Sequence, residues 1–154
     1  MHFPTVTGSN LERRSFTLPD DLEGEVNLVI LAFWRDHQSL VDTWMPLARR
    51  LQTRHSGLVA YELPVIESRS RVSQWFIDSG MRSGIRDRTT REHTITLYID
   101  KAEFLATLEI EDDSTIRTLL IDRAGRILWR SDGPLDPAKE QALSEFLEPS
   151  PTTA

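Results

Sequence analysis

Residues 27–33, NLVILAF, are apolar at every position after Asn27 and carry β-branched Val29 and Ile30, and no other stretch constrains the fold as strongly. A strand with one wet face alternates. A strand that is apolar at almost every position is covered on both faces, which points to the centre of a largely parallel sheet with helices on either side. From His37 onward the periodicity changes. Leu40, Trp44, Leu47, Ala48 and Leu51 recur at three- and four-residue steps to about Gln52, the spacing of one helix face. Pro46 falls inside that helix, where it deletes a backbone hydrogen bond and crowds the preceding turn at a cost of ~3 kcal/mol, so a kink is expected near residues 42–46.

The remaining elements follow from pattern and punctuation. Ser15 to Leu18 reads as a short strand closed by Pro19, two aspartates and Gly24. Residues 58–65 read as a second buried strand ended by Pro64. Residues 68–81 read as a helix with Val72, Trp75, Phe76 and Met81 inward, fraying at Gly80 and Gly84. In HTITLYID, residues 93–100, Ile95, Leu97 and Ile99 share one side of a strand, and residues 102–108 add a helical turn or two. IRTLLIDRAGRILWR is a β-hairpin turning at Asp122 to Gly125. Asp136 and Pro137 stand where an N-cap and first helical residue belong, with Ala142, Leu143, Phe146 and Leu147 as the inward face of a closing helix. The order β, βα, βα, β, hairpin, α predicts an α/β fold, a central mixed sheet flanked by helices with an N-terminal β extension and a C-terminal helix. A single domain is expected over residues 1–148, with 149–154 a disordered tail of prolines and small polar residues.

Composition excludes several classes of function. At 39% hydrophobic and 27% charged residues the balance is that of a soluble globular chain, and no run approaches the ~20 apolar residues a membrane-spanning helix needs. The N-terminus shows no basic segment followed by an apolar one, so no signal peptide is read and a cytoplasmic location is expected. A net charge of −6 argues against a nucleic-acid partner, because phosphate binding needs a concentrated basic face. Lysine occurs only at Lys101 and Lys139. The histidines, His2, His37, His55 and His93, lack the spacing of a metal pair, and with no phosphate-binding glycine motif either, no metal or cofactor is expected. Above all, the chain has no cysteine, which removes disulfides, thiolate ligands and thiol nucleophiles together.

That absence matters because of what the strand and helix resemble. Phe33-Trp34, three residues, then Gln38 and Val41 at the helix start, and Pro46 eight residues after Gln38, resemble the thioredoxin superfamily's Phe-Trp, Cys-x-x-Cys and kinking proline, without a gap. TLLIDRAGRILW resembles the superfamily's hairpin, and residues 8–25 resemble the front extension of peroxiredoxins and membrane-anchored thiol reductases. Val41-Asp42-Thr43-Trp44 and GRILW are similar to elements of the mitochondrial ATP-synthase assembly-factor family, whose thioredoxin-like domain is cysteine-poor.

The resemblance implies a scaffold stripped of its chemistry. Gln38 cannot attack a disulfide and Val41 cannot resolve one. Ala32 takes the place of the superfamily's buried acid. Ile116 takes that of its cis-proline, and since a non-proline cis peptide costs ~2.5–4 kcal/mol a trans bond is expected there. Arg117 lies one position away from the peroxiredoxin arginine. Thiol–disulfide exchange and thiol peroxidase activity are thereby excluded. The reading that remains is a redox-inactive domain acting as a protein-binding, assembly or chaperone-like module. Its candidate surface is Trp34, Arg35, Asp36, His37, Gln38 and Val41 with Thr115, Ile116 and Arg117, read as an exposed strand-to-helix loop and its neighbour. The bland alternative makes Asp36 a helix cap and Arg35 and His37 solvated side chains, with Trp44 in the core and Trp75 and Trp129 packing. Two other functions stand beside binding: non-thiol catalysis by Arg35, Asp36 and His37 in the same cleft, and a structural homodimer. The four arginines of residues 82–92 lie in a stretch read as a glycine-containing loop, either solvated or gripping an acidic partner or phosphate.

Overall fold

The computed structural model describes residues 1–67 and 88–148; the helix expected over 68–81, with Trp75, and the tail at 149–154 lie outside the described residues. In chain order the elements are β1 (Val6–Asn10), β2 (Ser15–Leu18), β3 (Val26–Ala32), a single 3-10 turn (Arg35–His37), α1 (Gln38–Arg54), β4 (Leu58–Glu67), α2 (Arg88–Glu92), β5 (Ile95–Ile99), α3 (Lys101–Thr107), β6 (Arg117–Asp122), β7 (Ile127–Asp132) and α4 (Pro137–Leu147). The strands form one mixed sheet in the order β2-β1-β5-β4-β3-β6-β7. Strands β3, β4 and β5 run parallel to one another, while the outer pairings, β1 with β2 and β5, and β6 with β3 and β7, are antiparallel. This is the thioredoxin-like architecture the sequence leads one to expect.

Burial explains the apolar run. Leu28, Ile30 and Ala32 face a core built with Val41, Trp44, Leu47, Ala48 and Leu51 of α1 and Leu143 of α4. Val29, Leu31 and Phe33 face a second core with Phe16, Leu63, Leu97, Phe104 of α3 and Leu119. Every side chain from Leu28 to Phe33 is therefore buried, whichever way it points. Helix α1 continues through Pro46, which lies on its exposed side, so the proline costs one ladder bond without interrupting the buried face.

Three expectations need correcting, and one strand had no expectation attached to it. The strand at residues 58–65 does not end at Pro64 but reaches Glu67. The proline falls between an isolated Glu62–Thr94 bridge and the ladder that resumes at Val65–Leu97, so β4 misses a rung and goes on. Strand β1 has no apolar alternation to announce it; VTGSN is a strand because β2 and β5 pair with it on both sides. Helix α4 starts as expected, with Asp136 accepting the Lys139 N–H at 2.8 Å and Pro137 in the first turn. Of its supposed inward face, however, only Leu143 is buried, while Ala142 and Phe146 are exposed and Leu147 is half-buried. Finally, the described part of the arginine-rich stretch is helical, with Arg88 paired to Glu92 at 3.1 Å and Arg91 to Glu12 at 3.0 Å.

Candidate functional site

The carboxyl ends of the parallel strands β3, β4 and β5 converge on one lysine, and the crevice at such ends is where open α/β sheets place their sites. Asp100 caps α3 by accepting the Glu103 N–H at 3.1 Å, which puts Lys101 in the first turn. The Lys101 amide donates to Glu67 Oε2, at the end of β4, at 3.2 Å. Its side chain turns under the end of β3, where Nζ donates to the Phe33 carbonyl at 2.6 Å. The same ammonium pairs with Asp113 Oδ2 at 3.2 Å and lies 3.6 Å from the centroid of the Trp34 indole. Lys101 is 8% exposed. A buried ammonium is tolerated only when hydrogen-bonded and paired, and here a carbonyl, a carboxylate and a π face supply the partners.

Above the lysine, Trp34 is 51% exposed, so one face of its indole rests on a cation and much of the rest meets solvent. It begins the 3-10 turn that joins β3 to α1, and no side chain caps that turn. The expected capping role of Asp36 is not realised: the helix start at Gln38 has no side-chain cap, and Asp36 is exposed. Nor is His37 a solvated residue. It is 4% exposed, its Nδ1 accepts the Phe33 N–H at 3.1 Å, and its ring meets the Phe33 ring edge-on at 6.2 Å. Burial lowers the His37 pKa below its ordinary value; Asp36, a hydrogen bond to the Ser114 backbone and Asp113 pull it up, and the Lys101 charge pushes it down. With Nδ1 accepting, the proton of the neutral ring sits on Nε2. Phe33 is thus gripped from both sides, its N–H by His37 and its carbonyl by Lys101.

The other expected residues divide into surface and support. Arg35 is exposed and Gln38 half-buried, with Gln38 Nε2 donating to Asp42 Oδ1 at 3.0 Å. Val41 and Ile116, expected on the surface, are fully buried in the α1 core and hold the junction from below. Thr115 is half-buried, and the Thr115–Ile116 peptide is trans, as anticipated. Arg117 points its guanidinium back at the preceding loop, donating to the carbonyls of Thr115 at 3.3 Å, Ile116 at 3.4 Å and Asp112 at 3.2 Å. Hydrogen bonds from the Ser114 hydroxyl and amide hold the Asp112 carboxyl below the usual range. Ala32 is buried against apolar neighbours, and Trp44 is fully buried, with Nε1 donating to the Gly133 carbonyl at 3.0 Å. Trp129 packs edge-on to Trp44 at 6.4 Å between centroids.

Chemically, the site holds no thiol. Absence of cysteine excludes thiol-based oxidoreductase and peroxidase chemistry. His37 Nδ1 accepts the Phe33 N–H, and the ring is also hydrogen-bonded to the Ser114 backbone. Sequence reasoning missed Lys101, Asp113 and Ser114. The available signal was a lysine in a chain with only two, directly after an Asp N-cap at the end of a buried strand, with the acidic pair Asp112-Asp113 downstream.

Comparison with known proteins bears on the fold alone. No protein-family model matches the sequence, and no curated relative does. Solved structures do. A putative thiol:disulfide interchange protein DsbE from Chlorobium tepidum aligns with a TM-score of 0.59 at 14% identity, covering 95% of this chain and 92% of that one. The exposed lipoprotein thioredoxin Etrx1 of Streptococcus pneumoniae aligns with a TM-score of 0.61 at 13% identity over 94% and 98%. BsSco, a member of the Sco family of cytochrome c oxidase assembly proteins, gives 0.64 at 13% over 96% and 92%. None of these links the chain specifically to peroxiredoxins or to ATP-synthase assembly factors. With the sheet order, the Phe33-Trp34 junction and the proline-bearing helix in place, the chain is a thioredoxin-like fold without cysteine.

Proposed function

We propose that this domain is a redox-inactive binding module that docks a protein partner on the Trp34 indole, with Arg35, Asp36 and Gln38 on one side and Thr115 and Arg117 on the other. The observation that carries the reading is the pairing of exposure with restraint at Trp34: half of the ring is open to solvent while its cationic seat on Lys101 holds it in place. Tryptophan dominates binding hot spots, and a side chain already immobilised loses less entropy when a partner covers it. Val41, Ile116 and His37 serve this surface as its foundation. An assembly role is the narrower form of the reading. It draws on the similarity of residues 41–44 to ATP-synthase assembly factors and on the description of BsSco as belonging to an assembly-protein family.

The test is affinity capture from the native source with the wild-type chain beside Trp34→Ala, folding being verified by circular dichroism. A partner retained by the wild type and lost from the variant supports the reading. Equal recovery of every partner removes Trp34 from it. Concentration-dependent sizing that finds a dimer disrupted by Trp34→Ala would make the partner a second copy of this chain.

A further inference from the structure

We propose that His37 makes the Trp34 platform acid-releasable: protonating its imidazole turns Nδ1 from acceptor to donor, breaks the bond from the Phe33 N–H, and loosens the seat that Lys101 and Trp34 share. The N–H held by His37 and the carbonyl held by Lys101 flank the same residue, Phe33, at the point where β3 gives way to the 3-10 turn. A rotation about Phe33 that relieves two facing donors therefore also moves the carbonyl away from the Lys101 ammonium, and the indole resting on that ammonium follows.

The groups facing the imidazole set the balance. Asp36 on its own turn, Asp113 on the loop before β6 and the Ser114 backbone favour the cation, whereas burial and the Lys101 ammonium at the start of α3 oppose it. The net is a ring that stays neutral near pH 7 and charges below the usual histidine range. The functional meaning, release of a partner in a mildly acidic compartment, rests on Trp34 being the docking surface; the latch itself does not.

The experiment is a titration by NMR of the 15N-labelled chain from about pH 7.5 to about pH 4.5, following the His37 side-chain nitrogens, the Phe33 amide and the Trp34 indole N–H, which Trp34→Phe identifies by its loss. The Nε2–H tautomer is expected at neutral pH. Below it, all three signals move with one midpoint and the protection factor of the Phe33 amide falls about tenfold. In His37→Asn, whose side-chain oxygen accepts the same N–H without titrating, the indole midpoint disappears, while in Asp113→Asn it persists. An indole signal that is pH-independent, that moves with a midpoint different from that of His37, or that moves unchanged in His37→Asn overturns the proposal. Because a wild-type indole that fails to follow the His37 midpoint overturns it by itself, misfolding of a variant does not rescue it. A titrating indole together with partner capture indifferent to Trp34→Ala would sink the docking reading and leave the latch standing.

Discussion

Replacing Lys101 by methionine isolates what holds the junction between β3 and α1. The substitution keeps the apolar stem and removes the ammonium. It takes away the charged hydrogen bond to the Phe33 carbonyl, a class worth about 1.5–3 kcal/mol. It also removes the ion pair with Asp113, whose carboxylate is a third exposed, so that term is discounted to below ~1 kcal/mol. Loss of the cation beneath a half-exposed indole adds ~0.5–1 kcal/mol. Against this, methionine escapes the desolvation cost of a buried ammonium, which offsets part of the sum. The net expectation is destabilisation by about 2–3 kcal/mol, or a fall of about 1 M in the urea midpoint at an ordinary m-value. Lys139→Met is the matched control. Its ammonium donates to the Pro134 carbonyl at 2.8 Å and meets Asp136 at 3.7 Å, but it lies on the α4 turn in contact with solvent and is worth about 1 kcal/mol or less. Urea unfolding of both variants at pH 7, with m unchanged, makes the comparison. A Lys101→Met midpoint no lower than that of Lys139→Met would refute the assignment of Lys101 as the residue that organises the site.

Two further outcomes test the surrounding fold. Burial raises the Tyr61 pKa to about 12, so the folded state keeps a proton that the unfolded chain loses near its ordinary value of 10. Stability from this source is complete below that value and falls by about 2–3 kcal/mol as the pH rises towards 12, a loss that Tyr61→Phe should lack when both are unfolded in denaturant at alkaline pH. At Gly8 a Cβ would lie 2.5 Å from the Thr96 carbonyl oxygen, a backbone atom that cannot step aside. Gly8→Ala should therefore cost about 1–3 kcal/mol and preferentially raise hydrogen exchange in β1 and β2, with β3 and β6 little changed.

What could be read from the sequence follows the strength of the local signal. Strand β3 and helix α1 were legible because burial on both faces leaves a continuous apolar run and burial on one face leaves a three- and four-residue repeat. Strand β1 was not, since its pairing comes from neighbours on either side and VTGSN carries no pattern of its own. Helix α4 misled in the other direction. It touches the core through a narrow seam at Leu143 and the half-buried Leu147, so Ala142 and Phe146 are apolar by composition yet exposed. Within the site, position was easier to read than environment. Trp34, Arg35, Asp36, His37 and Gln38 sit at the strand-to-helix junction as expected, but polarity alone could not tell that His37 folds inward beneath Phe33. Lys101 is remote in sequence from Phe33, and only the parallel arrangement of β3, β4 and β5 brings the two together.

Site-directed photo-crosslinking in the native source tests the proposed partner contact at the Trp34 junction. A benzophenone amino acid is placed at Arg35, beside the indole, and in a second chain at Phe146, which is 46% exposed on α4 at another part of the surface. The prediction is one adduct of discrete mass from position 35 that vanishes when Trp34→Ala is introduced, and none of that mass from position 146. The same adduct from position 146 alone, or from position 35 with and without Trp34, would contradict it.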